Sequence, residues 1–242
     1  MMNKEKLIRF VEKYYLTGIN EAAILKVEDE KLTTLFKTPE GDLRGLIEIE
    51  DIKLPDAEIG FYSTGTFLKM ISILEDKVDI ELKKKQETNT IVNLTIKDEK
   101  NRKITYATCD LDIIDSDGKK GVLKSYDVKV PLYNETISNI LKANAAIPSK
   151  AITFLVKDEV FYIVFNYSEN NSDKIEIELP AEDLNEEFSM MSFSSQHIKS
   201  ILEVNSKKFS EAFLEISMKG ILRIYFKDID STAEYWMVKM QD

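Results

Sequence analysis

Apolar residues first recur at helical spacing, with Leu7, Phe10, Val11 and Tyr14 three and four positions apart, which predicts a helix over about residues 4–16 with no strand before it. The period then shortens to two. Alternating apolar and polar positions predict strands near 22–28, 31–37 and 43–50, and a further strand falls near 57–62. Helical spacing returns over about 64–75. Val78, Ile80 and Leu82 then alternate with Asp79, Glu81 and Lys83, and two more strands are expected at 90–97 and 103–114. The second half repeats this order, with helices near 134–144 and 194–204.

The repetition extends to residue identities. "AILKVEDEKLTTLF" (23–36) lies over "ITFLVKDEVFYIVF" (152–165), matching Val27 with Val156, Asp29-Glu30 with Asp158-Glu159, and Phe36 with Phe165. At an offset of about 130 residues, Leu7, Phe10 and Val11 lie over Ile137, Ile140 and Leu141. "IEIE" occurs at 47–50 and again at 175–178, Lys69 and Ile71 match Lys199 and Ile201, and Lys97-Asp98 match Lys227-Asp228. Collinear matches through helix, strand, helix and strand mark a tandem duplication. The cluster of Gly, Asp and Lys in "DSDGKKGVLKS" breaks both periodicities. It divides the chain into residues 1–114, a connector at 115–125, and residues 126–242.

Composition narrows the function. The 242 residues are 43% hydrophobic, enough for one large core or two smaller ones. No run approaches the roughly 18 apolar residues of a membrane span, and "MMNKEKLIRF" is charged where a signal peptide is apolar, so a soluble intracellular protein is expected. The single cysteine, Cys109, excludes an intrachain disulfide. One histidine, His197, excludes paired-histidine catalysis, and neither a Gly-rich dinucleotide fingerprint nor a Walker loop occurs. In "DLDIIDSDG", a calcium loop with Gly118 in sixth place would have Ile113 first and Lys124 twelfth, so both end ligands are missing. No catalytic residue, metal site or cofactor is expected. With 33 basic and 43 acidic residues the formal charge is −10, which at face value argues against a nucleic-acid partner.

The ending "LEISMKGILRIYFKDIDSTAEYWMVKMQ", the helix "TGTFLKMISIL" and the segment "YDVKVPLYNETISNIL" resemble the DNA polymerase sliding clamps of the proliferating cell nuclear antigen and T4-type phage group. The resemblance implies an α+β DNA-clamp fold: two tandem domains, each with two helices on antiparallel sheets, closing head to tail as a homotrimeric ring. It implies a non-enzymatic processivity factor that encircles duplex DNA without sequence preference and holds a replicative polymerase after a clamp loader has acted. The immediate entry into a helix is similar to the phage clamps and implies a phage or viral source, in the host cytoplasm. Residues 103–113 and 173–179 are the expected subunit edges. Two alternatives stand beside this: a clamp-fold subunit that never closes a ring, and a virion or scaffold protein of duplicated β-rich domains.

A topologically trapped ring needs only weak phosphate contacts on its inner wall, which reconciles DNA with an acidic chain. At about 100° per residue, Lys6, Arg9 and Lys13 form one basic stripe away from the apolar face of the first helix. Lys69, Asn139, Lys142, His197 and Lys199 are the candidates on the other helices. By position in the resembling clamps, Leu43, Val122, Leu123, Trp236 and Val238 are the expected partner pocket, with Trp236 at the repeat position of Tyr106.

Overall fold

The computed structural model describes residues 1–85, 90–116, 123, 125–170, 173–185 and 187–241. Val122 and most of the expected connector lie outside them. Two compact units are present. The first comprises Met1–Gly41, Gly45–Lys120 and Asp230–Ala233, the second Asp42–Arg44, Gly121–Ile229 and Glu234–Asp242. Among the described residues no helix is long and apolar enough to cross a membrane.

The first unit begins with β1 (Met2–Asn3), which pairs with β6 (Lys77–Lys84). This corrects the expectation that no strand precedes the first helix, and removes the absence on which a phage or viral source rested. Asn3 ends the strand and caps α1 (Lys4–Tyr15), its side chain accepting the Glu5 N–H at 2.8 Å. The helix buries Leu7, Phe10, Val11 and Tyr14, as their spacing requires, and stops where Leu16 turns left-handed (φ 50°). Then follow β2 (Ala23–Glu28), β3 (Lys31–Lys37), β4 (Leu43–Ile49), β5 (Ala57–Phe61) and α2 (Thr64–Ser72). After β6 come β7 (Ile91–Asp98) and β8 (Lys103–Ala107). Strand order is β1-β6-β7-β8 in one sheet and β5-β2-β3-β4 in the other run. Phe61, Phe67 and Tyr106 interlock between them with ring centroids 4.9 to 5.1 Å apart.

The strand expected over 103–114 ends early, at Ala107. Cys109 instead bridges to Gly60 of β5, its N–H donating to the Gly60 carbonyl at 3.0 Å, and a short 3₁₀ turn follows at Leu111–Ile113. The crossing needs a glycine. A Cβ at position 60 would press on the Cys109 carbonyl oxygen and stand 2.9 Å from its Sγ.

The second unit holds β9 (Val128–Pro131), α3 (Asn134–Ala146), β10 (Ala151–Lys157), β11 (Val160–Phe165), β12 (Ile175–Leu179), β13 (Met191–Ser194) and α4 (Ser195–Asn205). It closes with β14 (Glu211–Ser217), β15 (Ile221–Lys227) and, from Glu234 on, β16 (Ser231–Val238). Its strand orders, β9-β14-β15-β16 and β13-β10-β11-β12, reproduce those of the first unit element for element. The repeated Asp-Glu dipeptide now has a physical reason. Asp29 and Glu30 (φ 50° and 59°) and Asp158 and Glu159 (φ 51° and 66°) are the two left-handed residues of two-residue hairpin turns, the geometry that matches strand twist.

Candidate nucleic-acid and partner interface

Each unit carries one helix pair, α1 against α2 and α3 against α4. Lys69 on α2, Asn139 and Lys142 on α3, and Lys199 on α4 are all exposed. Lys199 lies 3.7 Å from Glu203 one turn on, both half-exposed, so this contact is a weak restraint on the ammonium.

The stripe on α1 differs from expectation. Helical spacing does align Lys6, Arg9 and Lys13, but the stripe is closed over by acid and hydroxyl groups. Lys6 Nζ lies 3.2 Å from Asp230 Oδ2 and 3.8 Å from Asp51 Oδ2, with its side chain 16% exposed. Arg9 Nη2 lies 3.5 Å from the same Asp230 oxygen, and its side chain is 26% exposed. Lys13 is 6% exposed and donates to Ser231 Oγ at 3.3 Å. His197 also departs from an open face: it is buried in the first turn of α4, with Nδ1 3.6 Å from Asp42 Oδ2.

The two expected subunit edges lie at sheet margins. Among the described residues β8 pairs only with β7, and β12 only with β11, so each leaves one side of its backbone without a strand neighbour. Lys103, Thr105 and Ala107 are exposed on β8, while β12 exposes Glu176 and Glu178 between the half-buried Ile175 and Ile177.

Of the expected partner pocket, Val238 is 51% exposed and Leu123 half-buried, whereas Leu43 and Trp236 are buried. The latter two therefore offer no open surface. Trp236 is not an inward core residue either. Along β16, Ala233, Tyr235 and Met237 face inward, so Trp236 shares the outer face with Thr232 and Glu234. It is covered there, with its indole N–H donating to the phenol of Tyr126. Burial first, against the lowering influence of Arg223, raises the Tyr126 phenol pKa.

The repeat partner of Tyr106 is consequently Tyr235. The turn before β16 is one residue shorter than that before β8, and a one-residue slip exchanges the two faces of a strand. Both tyrosines face a helix: the Tyr106 oxygen accepts the Ser63 N–H at 3.1 Å, and the Tyr235 oxygen accepts from Asn205 Nδ2 at 3.0 Å.

A cleft of about 470 Å³ that the sequence reading missed lies within the first unit, lined by Ala22, Pro39, Tyr62, Ile113 and Ile114. Tyr62 and Ile113 are exposed, and Lys37 pairs with Asp115 at its rim (2.7 Å). The only sequence signal was the apolar pair inside the acidic run "DLDIIDSDG".

Two helices over antiparallel strands, built twice in the same order, define the DNA-clamp fold. Among solved structures, Proliferating Cellular Nuclear Antigen from Entamoeba histolytica superposes with a TM-score of 0.75 at 13% identity, covering 99% of this chain and 96% of that one. A. fulgidus PCNA, in a structure with the C-terminal region of FEN-1 bound, superposes with a TM-score of 0.76 at 16% identity, covering 100% and 97%. No protein-family model and no curated protein matches the chain.

Proposed function

We propose that this protein is a DNA sliding clamp, a processivity factor that encircles duplex DNA as a homotrimer and tethers a replicative polymerase after loading by a clamp loader. The observation that carries the reading is the doubled fold with a strand margin free at β8 in one unit and at β12 in the other. Unlike margins on one chain favour a heterologous, head-to-tail contact, and such contacts close as rings when the rotation permits. Lys103 on β8 and Glu176 and Glu178 on β12 give the two margins opposite charge. Three chains supply six similar units and three copies each of Lys69, Asn139, Lys142 and Lys199 for the wall facing DNA.

Attachment through a few lysines suits a protein of charge −10. The ring keeps the DNA by topology, so each phosphate contact can stay weak enough to slide. Partner binding is assigned to the accessible members of the expected pocket, Leu123 and Val238. The A. fulgidus clamp holding a FEN-1 terminal segment supports a peptide partner by fold analogy. Mass in solution tests the ring: chains of 27.9 kDa should elute as a species of about 84 kDa. A monomer at micromolar concentration would favour the clamp-fold subunit that never closes a ring.

A further inference from the structure

We propose that Asp230 is a built-in competitor for DNA phosphate: its carboxylate occupies an anion seat on α1 and thereby sets how weakly the first helix holds duplex DNA. The inference rests on the clamp reading and names a regulating residue within it. One carboxylate oxygen, Asp230 Oδ2, receives both Lys6 Nζ at 3.2 Å and Arg9 Nη2 at 3.5 Å. Lys13 lies one turn further along the same stripe, held by Ser231 Oγ next to Asp230. Two cations therefore share Asp230, Lys6 also lies near the largely exposed Asp51, and Lys13 continues the stripe. A tetrahedral phosphate oxygen carries the same charge and accepts the same N–H donors as a carboxylate oxygen. Lys6 and Arg9 retain 16% and 26% of their side-chain exposure, so the rim of this seat is open to solvent.

The internal repeat supplies a second observation. The positions on α3 that match Lys6, Arg9 and Lys13 are Thr136, Asn139 and Ala143, all neutral. With Tyr235 over Tyr106, the position matching Asp230 is Asn101, also neutral. The stripe, in the first half of the chain, and the carboxylate that covers it, in the second, thus both have neutral repeat mates.

The test is binding of a short labelled duplex without sequence preference, followed by anisotropy across a salt titration for wild type, D230N and the triple variant K6Q/R9Q/D230N, with thermal melting of each. Removing the carboxylate that Lys6 and Arg9 share should tighten D230N binding about three- to tenfold at moderate salt and steepen the log–log salt slope by about 1 to 2. The triple variant should return to the wild-type affinity. A folded D230N that gains nothing overturns the proposal, as does a gain that survives in the triple variant, since it would not pass through Lys6 and Arg9. Should D230N unfold, K6Q/R9Q decides by itself: a change under about twofold supports a stripe already occupied by Asp230, and a loss above about fivefold overturns it. K142Q/K199Q is the separate control. Loss of duplex binding there, with no response at Asp230, leaves the clamp reading standing and removes only this inference.

Discussion

Replacing Gly60 by alanine tests the crossing that ends β8 and leads towards the connector. The backbone at Gly60 is not left-handed, so the glycine is needed for space alone. Its added Cβ would press on the carbonyl oxygen of Cys109, with Sγ at 2.9 Å and the carbonyl carbon at 3.2 Å, all inside ordinary contact. The yielding group must be backbone. That backbone is itself pinned, because the Cys109 N–H donates to the Gly60 carbonyl at 3.0 Å. Overpacking of this kind costs about 1–3 kcal/mol, and involvement of backbone places G60A at the upper end, about 2–3 kcal/mol. In a chain of this size that corresponds to a fall of about 4–12 °C in Tm. C109A in the G60A background removes the Sγ contact and leaves the carbonyl contact, so it should restore less than half of the loss. Urea unfolding and differential scanning calorimetry read both numbers. G60A within about 0.5 kcal/mol of wild type, or full rescue by C109A, would refute the steric reasoning.

Three further outcomes follow from the same structure. K69E/K142E/K199E should lose retention on DNA with stability changed by no more than about 0.5 kcal/mol per site, since all three are exposed; normal retention by the folded variant would remove them from the wall. Asp98 is buried, and although burial opposes its ionisation, hydrogen bonds from the Glu75 and Arg102 N–H groups and the Arg102 guanidinium outweigh that and hold its carboxyl at about 2. A depressed carboxylate stabilises above its unfolded value near pH 3.9 and loses that contribution as pH falls through about 2, so wild type should lose stability across this window while D98N, weaker at neutral pH, shows a flatter profile in an acid titration of unfolding. Glu30 and Glu159 sit left-handed in their turns, so E30G and E159G should each leave stability unchanged or raise it by up to about 1 kcal/mol in chemical denaturation, and a clear loss at both would contradict the turn assignment.

Most of the fold was legible because its signals are local. Period 3.6 placed all four helices within a few residues, and the Asp-Glu dipeptides marked equivalent positions of the repeat, which the structure shows to be hairpin turns. What was not legible depends on residues far apart or on single-residue register. The stripe on α1 is a local pattern, but the acid that covers it lies 221 positions along the chain from Arg9. The orientation of Trp236 turned on a hairpin one residue shorter than its repeat, which no periodicity count reports. The early end of β8 was hidden because Thr108 to Ile114 keeps strand-like composition, while the reason for stopping is the glycine at position 60.

The central claim, a closed ring around DNA, is tested most directly by retention on circular against linear DNA. The protein is loaded onto nicked circular duplex with a clamp loader, separated from free protein by gel filtration at moderate salt, and the DNA is then cut once. A ring should co-elute with the intact circle and be released after the cut, because only the free ends let it slide off. Equal retention on both forms, or on neither, would contradict it.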